Sequence, residues 1–142
     1  MPETPAELRT TAVVTAFLRH QGRVLLVRRS TGVGSYQGRW SAISGYLEDP
    51  DPLQQALREI QEETGLDRAV LRLRTRAEPL AVPAPELGIC WLVYPFLFEV
   101  EDPGGIRLDW ENTELRWVAP SELDGMPTVP ALAETLASVS PD

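Results

Sequence analysis

Residues 45–66 read GYLEDPDPLQQALREIQEETGL, and this stretch decides the fold of the chain. Leu53, Leu57 and Ile60 have the apolar spacing of one helical face. The helix pattern stops at Gly65, a residue type that commonly follows the last turn of a helix. The stretch therefore predicts a loop that leads into an amphipathic helix.

Three carboxylates crowd the end of this predicted helix. Glu59 precedes Glu62 by three residues and Glu63 by four, so at about 3.6 residues per turn the three side chains share one face. Like charges at these spacings destabilise an isolated helix by about 0.2–0.5 kcal/mol per pair. The compensating charge is either the neighbouring Arg58 or a bound hard cation, because Mg²⁺ and Mn²⁺ prefer carboxylate oxygens. A solvated acidic helix end is the alternative.

The same stretch resembles a Nudix box. That pattern is a glycine, five residues, a glutamate, seven residues, and then Arg-Glu-U-x-Glu-Glu-x-Gly-U, where U is aliphatic. Residues 58–66 match every specified position of the second half. The first half departs from the pattern: Asp51 replaces the glutamate, the next spacer has six residues, and Ser44 replaces the glycine that usually precedes Gly45.

The resemblance implies an α/β fold of the Nudix type, an α/β/α sandwich around a mixed central sheet. It also implies a metal-dependent hydrolase that uses Mg²⁺ or Mn²⁺ to cleave a phosphoanhydride bond in a nucleoside diphosphate linked to another group. By resemblance, the metal ligands are Glu59, Glu62, Glu63 and a backbone carbonyl at Ser44 or Gly45.

Several residues near the ligands are candidates for catalysis. Glu62 and Glu63 are candidates in addition to their role as ligands, and Arg58 is placed to orient a glutamate through a charge-assisted hydrogen bond. In several Nudix enzymes a carboxylate outside the box is a further ligand or the general base, and Glu111 is the first candidate here. A solvated loop acid is the alternative for Glu111.

Substrate binding is predicted for residues that border the expected cleft. Arg28, Arg29 and Arg39 are candidates for holding a distal phosphate. Since side chains alternate along a strand, only one of Arg28 and Arg29 can point into the cleft. Trp40 is either a wall of the substrate pocket or an anchor of the core.

Asp51 has two competing interpretations. Prolines flank it, and Asp followed by proline at the first helical position is typical of a helix N-cap. The other interpretation is a site role, in which the shorter side chain reaches the water shell of the metal.

The remaining elements follow from local patterns. Residues 10–19 and 23–29 predict a hairpin with a solvated His20 at its turn. Residues 87–100 predict a long strand in which Pro95 requires a bulge or an edge position. Further strands are expected at 69–80 and 114–118, and a last helix at 130–139. Aromatic side chains of the long strand belong to the core by default, although one or two can stack on a base: Trp91, Tyr94, Phe96 and Phe98.

Length and charge limit the possible classes of protein. The 142 residues predict one domain at 10–142 after a loosely held terminus at 1–9. The net charge of −8 argues against nonspecific binding to nucleic acid or to an anionic membrane, which needs a basic face. Without an apolar N-terminal segment or a hydrophobic run of 18 residues, a cytoplasmic location is expected. A homodimer is possible by resemblance.

Two finer interpretations complete the prediction. Residues 33–48 resemble a Nudix subgroup associated with ribose-bisphosphate isomerase-like proteins, which suggests nucleotide or sugar-phosphate metabolism. The variant loop, with Ser44 and Asp51, motivates an alternative function: a Nudix-fold nucleotide-binding or regulatory module with weakened catalysis.

Overall fold

Continuous apolar runs in the sequence become the central strands of a mixed sheet between two helices in the computed structural model, which describes residues 8–140. The strands are β1 (Arg9–His20), β2 (Arg23–Arg29), β3 (Trp40–Ser41), β4 (Ile43–Tyr46), β5 (Leu71–Arg76), β6 (Leu80–Ala84), β7 (Ile89–Val100) and β8 (Asn112–Val118). The α-helices are α1 (Pro52–Thr64) and α2 (Leu132–Val139), and short 3₁₀ helices cover Arg68–Val70, Pro85–Leu87 and Pro120–Gly125. Within residues 8–140 no helix is long and apolar enough to cross a membrane.

The sheet opens between its first two strands. β1 and β2 pair antiparallel only beside their turn, at Arg19↔Val24 and His20↔Arg23. Beyond that point β4 pairs with β1 and β3 pairs with β2, so the two short strands lie where the long ones diverge. β8 covers the other side of β2. This opening brings the end of β4, and therefore the start of the box, to the middle of the molecule.

Alternation along the strands produces two cores, one on each face of the sheet. On one face Val14, Ala16 and Leu18 of β1 pack with Ile60 of α1. On the other face Phe17 packs in a cluster that includes residues of α2. β1 and β7 run parallel while the other pairs are antiparallel, so the sheet is mixed. The predicted α/β/α sandwich is confirmed.

Pro95 is accommodated in the centre of the sheet by a change of partner strand. On one side of β7, the β6 pairing ends at Leu80↔Val93 and the β5 pairing begins at Arg76↔Phe96. Pro95 lies between these pairs, where no strand requires an N–H that proline lacks. The expected bulge or edge position in β7 is therefore replaced by a gap between its two partners.

Two predictions about strand ends need correction or restriction. His20 is the last residue of β1, its Nδ1 lies 2.8 Å from the Val100 carbonyl oxygen, and its ring packs edge-on against Trp117. The His20 side chain is therefore hydrogen-bonded and packed against a neighbouring ring, and it is not a solvated turn residue. Arg9 pairs with Ile89 as the first residue of β1, while residues 1–7 of the predicted terminus lie outside the described residues.

Local capping residues define both ends of α1. The Asp51 carboxylate accepts the Leu53 N–H at 3.0 Å, and Pro52 occupies the first turn. At the other end Gly65 has a φ of 78°, a left-handed conformation that glycine adopts without strain, and its N–H donates to the Gln61 carbonyl at 2.9 Å. The capping interpretation of Asp51 is confirmed.

Removal of this cap should destabilise the protein. Asp51→Ala should lower the free energy of unfolding by about 1 kcal/mol, because the Leu53 N–H loses its acceptor. Asp51→Asn is the matched control, since its amide oxygen retains the acceptor. Urea denaturation measures both variants, and equal stability of Asp51→Ala and wild type would contradict the capping role.

Candidate active site

A cavity of about 430 Å³ lies over β1 and β7, beside the start of α2. Val13 and Thr15 form part of its floor, and Glu59 and Glu62 of α1 reach its edge next to Ser44 and Gly45 of β4. The predicted metal site and the cavity therefore adjoin each other. The pocket lies at the place where the sheet opens.

Gly45 makes room for the Glu59 carboxylate. Gly45 pairs with Val14 of β1, which fixes the path of β4 beneath α1. A Cβ built on Gly45 would overlap with the carboxylate of Glu59, so any other residue at this position would force that side chain to move. The box glycine is thus required by a close approach between a side chain and a backbone.

Glu63 is the most deeply buried carboxylate of the site. Its side chain is 2% exposed, and Oε1 accepts a hydrogen bond from Asn112 Nδ2 at 3.0 Å. Among residues 8–140 no hydrogen-bond partner reaches Oε2. Burial raises the pKa of Glu63 well above its usual value, and the negative charge of Glu111 raises it further. An orphaned buried oxygen of this kind is suited to a cation.

The other acids of the site are also shifted toward the protonated form. Burial, followed by the charge of Glu62, raises the pKa of Glu59 to about 7. Burial, followed by the charge of Asp109, raises the pKa of Glu111, and the opposite charge of Arg29 counteracts this shift. Several carboxylates thus lie close together with too little positive charge nearby to neutralise them.

The site has the donor atoms that a divalent metal prefers, but not a complete set of protein ligands among the described residues. Carboxylate oxygens are the donors that Mg²⁺ and Mn²⁺ prefer, and the unpartnered Glu63 oxygen fits such an ion. In the part of the chain that the structure describes, however, no group of three or more His, Cys, Asp or Glu side chains is arranged to hold a metal as it stands. The donor chemistry fits a divalent cation, whereas the side chains of the described residues do not by themselves form a complete ligand set.

Arg29 is the arginine that the structure brings to the cavity. It is the last residue of β2, lines the pocket, and donates from Nε to the Ser35 carbonyl at 2.8 Å. Burial lowers the pKa of Arg29, and the charges of Glu63 and Glu111 oppose that shift. Its guanidinium therefore lies close enough to Glu63 and Glu111 to interact electrostatically with both carboxylates.

Three other predicted substrate residues lie elsewhere. Arg28 points to the opposite side of β2, where Nη1 pairs with Glu114 at 3.1 Å, as strand alternation requires. Arg39 is exposed and donates to the Thr128 carbonyl at 3.1 Å. Trp40 is 5% exposed in the core on the α2 side, with the Arg116 guanidinium over its ring. The structure thus selects the core interpretation for Trp40.

Arg58 also has a different partner from the one expected. Its Nη2 pairs with the Asp49 carboxylate at 3.0 Å on the exposed side of α1. Arg58 was expected to orient a glutamate. In this structure it instead forms an ion pair with Asp49, which connects α1 to the loop between β4 and α1. In this loop Asp49 lies within reach of Arg58, while Asp51 caps the helix.

Gln55 and Asn112 hold the buried glutamates and were not identified from the sequence. Gln55 is 2% exposed, and its Nε2 donates to Glu59 Oε1 at 3.0 Å, as Asn112 donates to Glu63. The spacing of Gln55 and Glu59, four residues apart on one helix, was a readable signal. Glu63 and Asn112 are 49 positions apart, so no sequence pattern indicated their contact.

Aromatic side chains form one wall of the cavity. Trp91 donates from Nε1 to the Tyr36 hydroxyl at 3.0 Å, and its ring centroid lies 6.4 Å from that of Tyr46. Trp110, which is 68% exposed, also lines the pocket. Of the aromatic residues of β7, Trp91 lines the pocket whereas Phe96 and Phe98 are buried in the core. Tyr36, Tyr46 and Trp110 were not anticipated from the sequence.

Comparison with known proteins agrees with the fold and shows the family. The family model described as the NUDIX domain matches residues 8–139, and the chain belongs to this family. The structure of a MutT protein from Methanosarcina mazei Go1 is similar with a TM-score of 0.72 and 25% identity, covering 92% of this chain and 93% of that one.

Two curated relatives are longer than this chain. An octanoyltransferase of Myxococcus xanthus is 34% identical over 131 residues, which are 88% of this chain and 35% of that protein. The asymmetrical bis(5'-nucleosyl)-tetraphosphatase of Sus scrofa is 32% identical over 103 residues, 69% of this chain and 65% of that protein. The chain thus spans about a third of the first relative and just under two thirds of the second.

The metal-free protein should respond to pH through Glu59. Its pKa is raised from 4.5 to about 7 in the folded state, so between these values the folded state binds more protons than the unfolded state. The free energy of unfolding should therefore fall, relative to that of Glu59→Gln, as the pH rises from about 4.5 to 7. Urea denaturation in the presence of a chelator tests this, and a constant or growing advantage of wild type over Glu59→Gln would contradict it.

Gly45→Ala should impair the acidic site more than the fold. Because the new methyl group displaces the Glu59 carboxylate, we expect the Mg²⁺ concentration for half-maximal thermal stabilisation to rise about tenfold. Gly125→Ala is the control, since a Cβ there meets no atom within 4 Å. Unchanged stabilisation by Mg²⁺ in Gly45→Ala would show that the position of Glu59 is unimportant for metal binding.

Proposed function

We propose that this chain is a Nudix-type pyrophosphohydrolase that cleaves a phosphoanhydride bond in a nucleoside diphosphate linked to another group. The observation that carries the proposal is the buried Glu63 carboxylate, whose Oε2 has no partner among the described residues. This oxygen belongs to an acidic cluster beside a cavity that also contains an arginine and aromatic walls. Membership of the Nudix family supports the same reaction class.

The acidic cluster would hold the divalent cation. Glu59, Glu62 and Glu63 are the proposed ligands for Mg²⁺ or Mn²⁺, with the backbone of Ser44 at the pocket edge as a further donor. When bound, the ion would neutralise the charge that spreads over the phosphate oxygens during cleavage. Carboxylates with raised pKa values gain most from such an ion, because it replaces the protons they would otherwise bind.

Arg29 and Glu111 have distinct roles in this proposal. Arg29 places a guanidinium at the pocket wall, where it can bind a phosphate through charge-assisted hydrogen bonds. Glu111 lies on the loop before β8 and is the proposed general base for the attacking water. Its raised pKa makes its ionised form a stronger proton acceptor than an ordinary surface glutamate.

The nucleoside would contact the aromatic wall. Stacking of a base on an aromatic side chain contributes about 1–3 kcal/mol, and Tyr46 and Trp110 expose their rings at the cavity. Similarity to the asymmetrical bis(5'-nucleosyl)-tetraphosphatase makes dinucleoside polyphosphates the first substrates to test. The subgroup resemblance of residues 33–48 suggests nucleotide or sugar-phosphate metabolism and no more, so nucleoside diphosphate sugars and ADP-ribose are tested as general substrates of this reaction class. The homodimer and the cytoplasmic location stay predictions.

The alternative function, a binding or regulatory module with weakened catalysis, rested on the variant loop. In the structure that loop is closed by the Asp49–Arg58 pair and by the Asp51 cap, so the helix that carries the glutamates is held despite the altered spacing. This favours the enzyme.

Turnover should depend on the acids of the cluster. A phosphate-release assay over dinucleoside polyphosphates, nucleoside diphosphate sugars, ADP-ribose and nucleoside triphosphates, with Mg²⁺ and with Mn²⁺, should identify at least one substrate. Glu62→Gln and Glu63→Gln should abolish its metal-dependent hydrolysis, and Glu111→Gln should lower kcat by about 10²–10⁴-fold with little change in KM.

Glu114→Gln is the control, because Glu114 pairs with Arg28 away from the cavity. Saturable binding without turnover of any compound would refute the enzyme in favour of the binding module. Near-full activity of both Glu62→Gln and Glu63→Gln would place the metal site elsewhere.

A further inference from the structure

Gln55 is a buried polar side chain in a helix face that otherwise packs against the sheet. Its neighbour Ala56 and Ile60, one turn further on, are fully buried in the core, and Gln55 itself is 2% exposed. A buried amide without partners would destabilise the fold, so its hydrogen bonds show what it does.

The Gln55 amide joins two parts of the site. Its oxygen accepts the backbone N–H groups of Glu48 at 3.0 Å and of Asp49 at 2.9 Å. Its nitrogen donates to Glu59 Oε1 at 3.0 Å. One side chain therefore connects the shortened loop with a carboxylate at the edge of the cavity.

These contacts allow only one orientation of the amide. Because two backbone N–H groups require an acceptor, the amide oxygen must face the loop. The NH₂ group must then face Glu59, where it can donate only to an oxygen that has a free lone pair. The two loop N–H groups therefore determine that the Glu59 carboxylate faces the NH₂ group of Gln55.

Neutrality of the donor is important for a carboxylate that has to bind a cation. An arginine or lysine in this place would neutralise Glu59, whereas an amide orients one oxygen and leaves the negative charge uncompensated. The nearest positive charge in the sequence, Arg58, is paired with Asp49 on the outer side of the helix. Gly45 then leaves room for the carboxylate in the orientation that Gln55 sets.

We propose that Gln55 is a positioning residue that fixes the Glu59 carboxylate through Oε1, so that its other oxygen is available to the divalent cation, while anchoring the loop after β4. The inference rests on the metal site of the proposed function. It assigns the rigidity of the variant loop and the orientation of a metal ligand to the same amide.

Two substitutions separate the two contacts of Gln55. Gln55→Met has a similar volume but lacks both the acceptor and the donor. Gln55→Glu retains an acceptor for the two loop N–H groups and, at a pH at which the new carboxyl is ionised, replaces the donor that faces Glu59 with an oxygen; the Mn²⁺ titration is therefore carried out at such a pH. Gln54→Glu is the matched control, since it makes the same chemical change one residue away, where the side chain accepts from Arg68 at the surface.

The measurements require no substrate. Amide hydrogen exchange of Glu48 and Asp49, followed by NMR in the metal-free protein, reports the loop anchor, and a Mn²⁺ titration at constant pH reports the metal site. Gln55→Met should increase the exchange rate of both amides and raise the Mn²⁺ dissociation constant by about 10–100-fold. Gln55→Glu should preserve the slow exchange and raise the dissociation constant over the same range. Gln54→Glu should leave both quantities at the wild-type values.

Each outcome decides one claim. Wild-type Mn²⁺ affinity in Gln55→Glu would overturn the inference even if Gln55→Met does not fold, because the donor to Glu59 would then be unimportant. Fast exchange of Glu48 and Asp49 in the wild-type protein would overturn the loop anchor. The expected pattern in a chain that hydrolyses no substrate would support the inference and refute the proposed hydrolase, so the two failures are distinguishable.

Discussion

Burial of negative charge at the end of α1 is the constraint on which the rest of the structure depends. A carboxylate removed from water costs several kcal/mol unless it is paired or hydrogen-bonded, and here Glu59 and Glu63 are both largely buried. Neutral amides of Gln55 and Asn112 satisfy one oxygen of each. Since amides do not cancel charge, the fold holds these groups in place while leaving them short of a cation. The metal site proposed for this helix end would need this combination of order and uncompensated charge.

The sheet supplies the geometry for that burial. Because β1 and β2 separate after their turn, β4 can lie against β1 with Gly45 beneath the Glu59 carboxylate. The same opening leaves the cavity over β1 and β7 uncovered, with Arg29 at its wall. The irregular region of the sheet thus carries the candidate site, and the two packed faces are the scaffold around it.

Local signals explain how much was predictable from the sequence. The helix with its cap and its glycine stop follows from short-range chemistry at Asp51 and Gly65, and the sandwich follows from the box and the strand pattern. The partners of Arg58 and Trp40 depend on a loop path and on tertiary packing, which residue spacing does not encode. Alternation did predict that Arg28 and Arg29 diverge, but only the completed sheet shows which of them faces the cavity.

The variant first half of the box shows how a departure from a pattern can still leave the helix that follows it capped and closed by its loop. In this loop, which is one residue shorter than the pattern, Asp51 caps the helix and Asp49 pairs with Arg58. Gln55 accepts two N–H groups of the same loop, so the shorter connection is hydrogen-bonded along its length. In this structure Gly45 leaves room for the Glu59 carboxylate, and Gln55 orients it through a hydrogen bond to Oε1. The altered spacing therefore does not prevent the loop from being closed or the helix that carries the three glutamates from being capped.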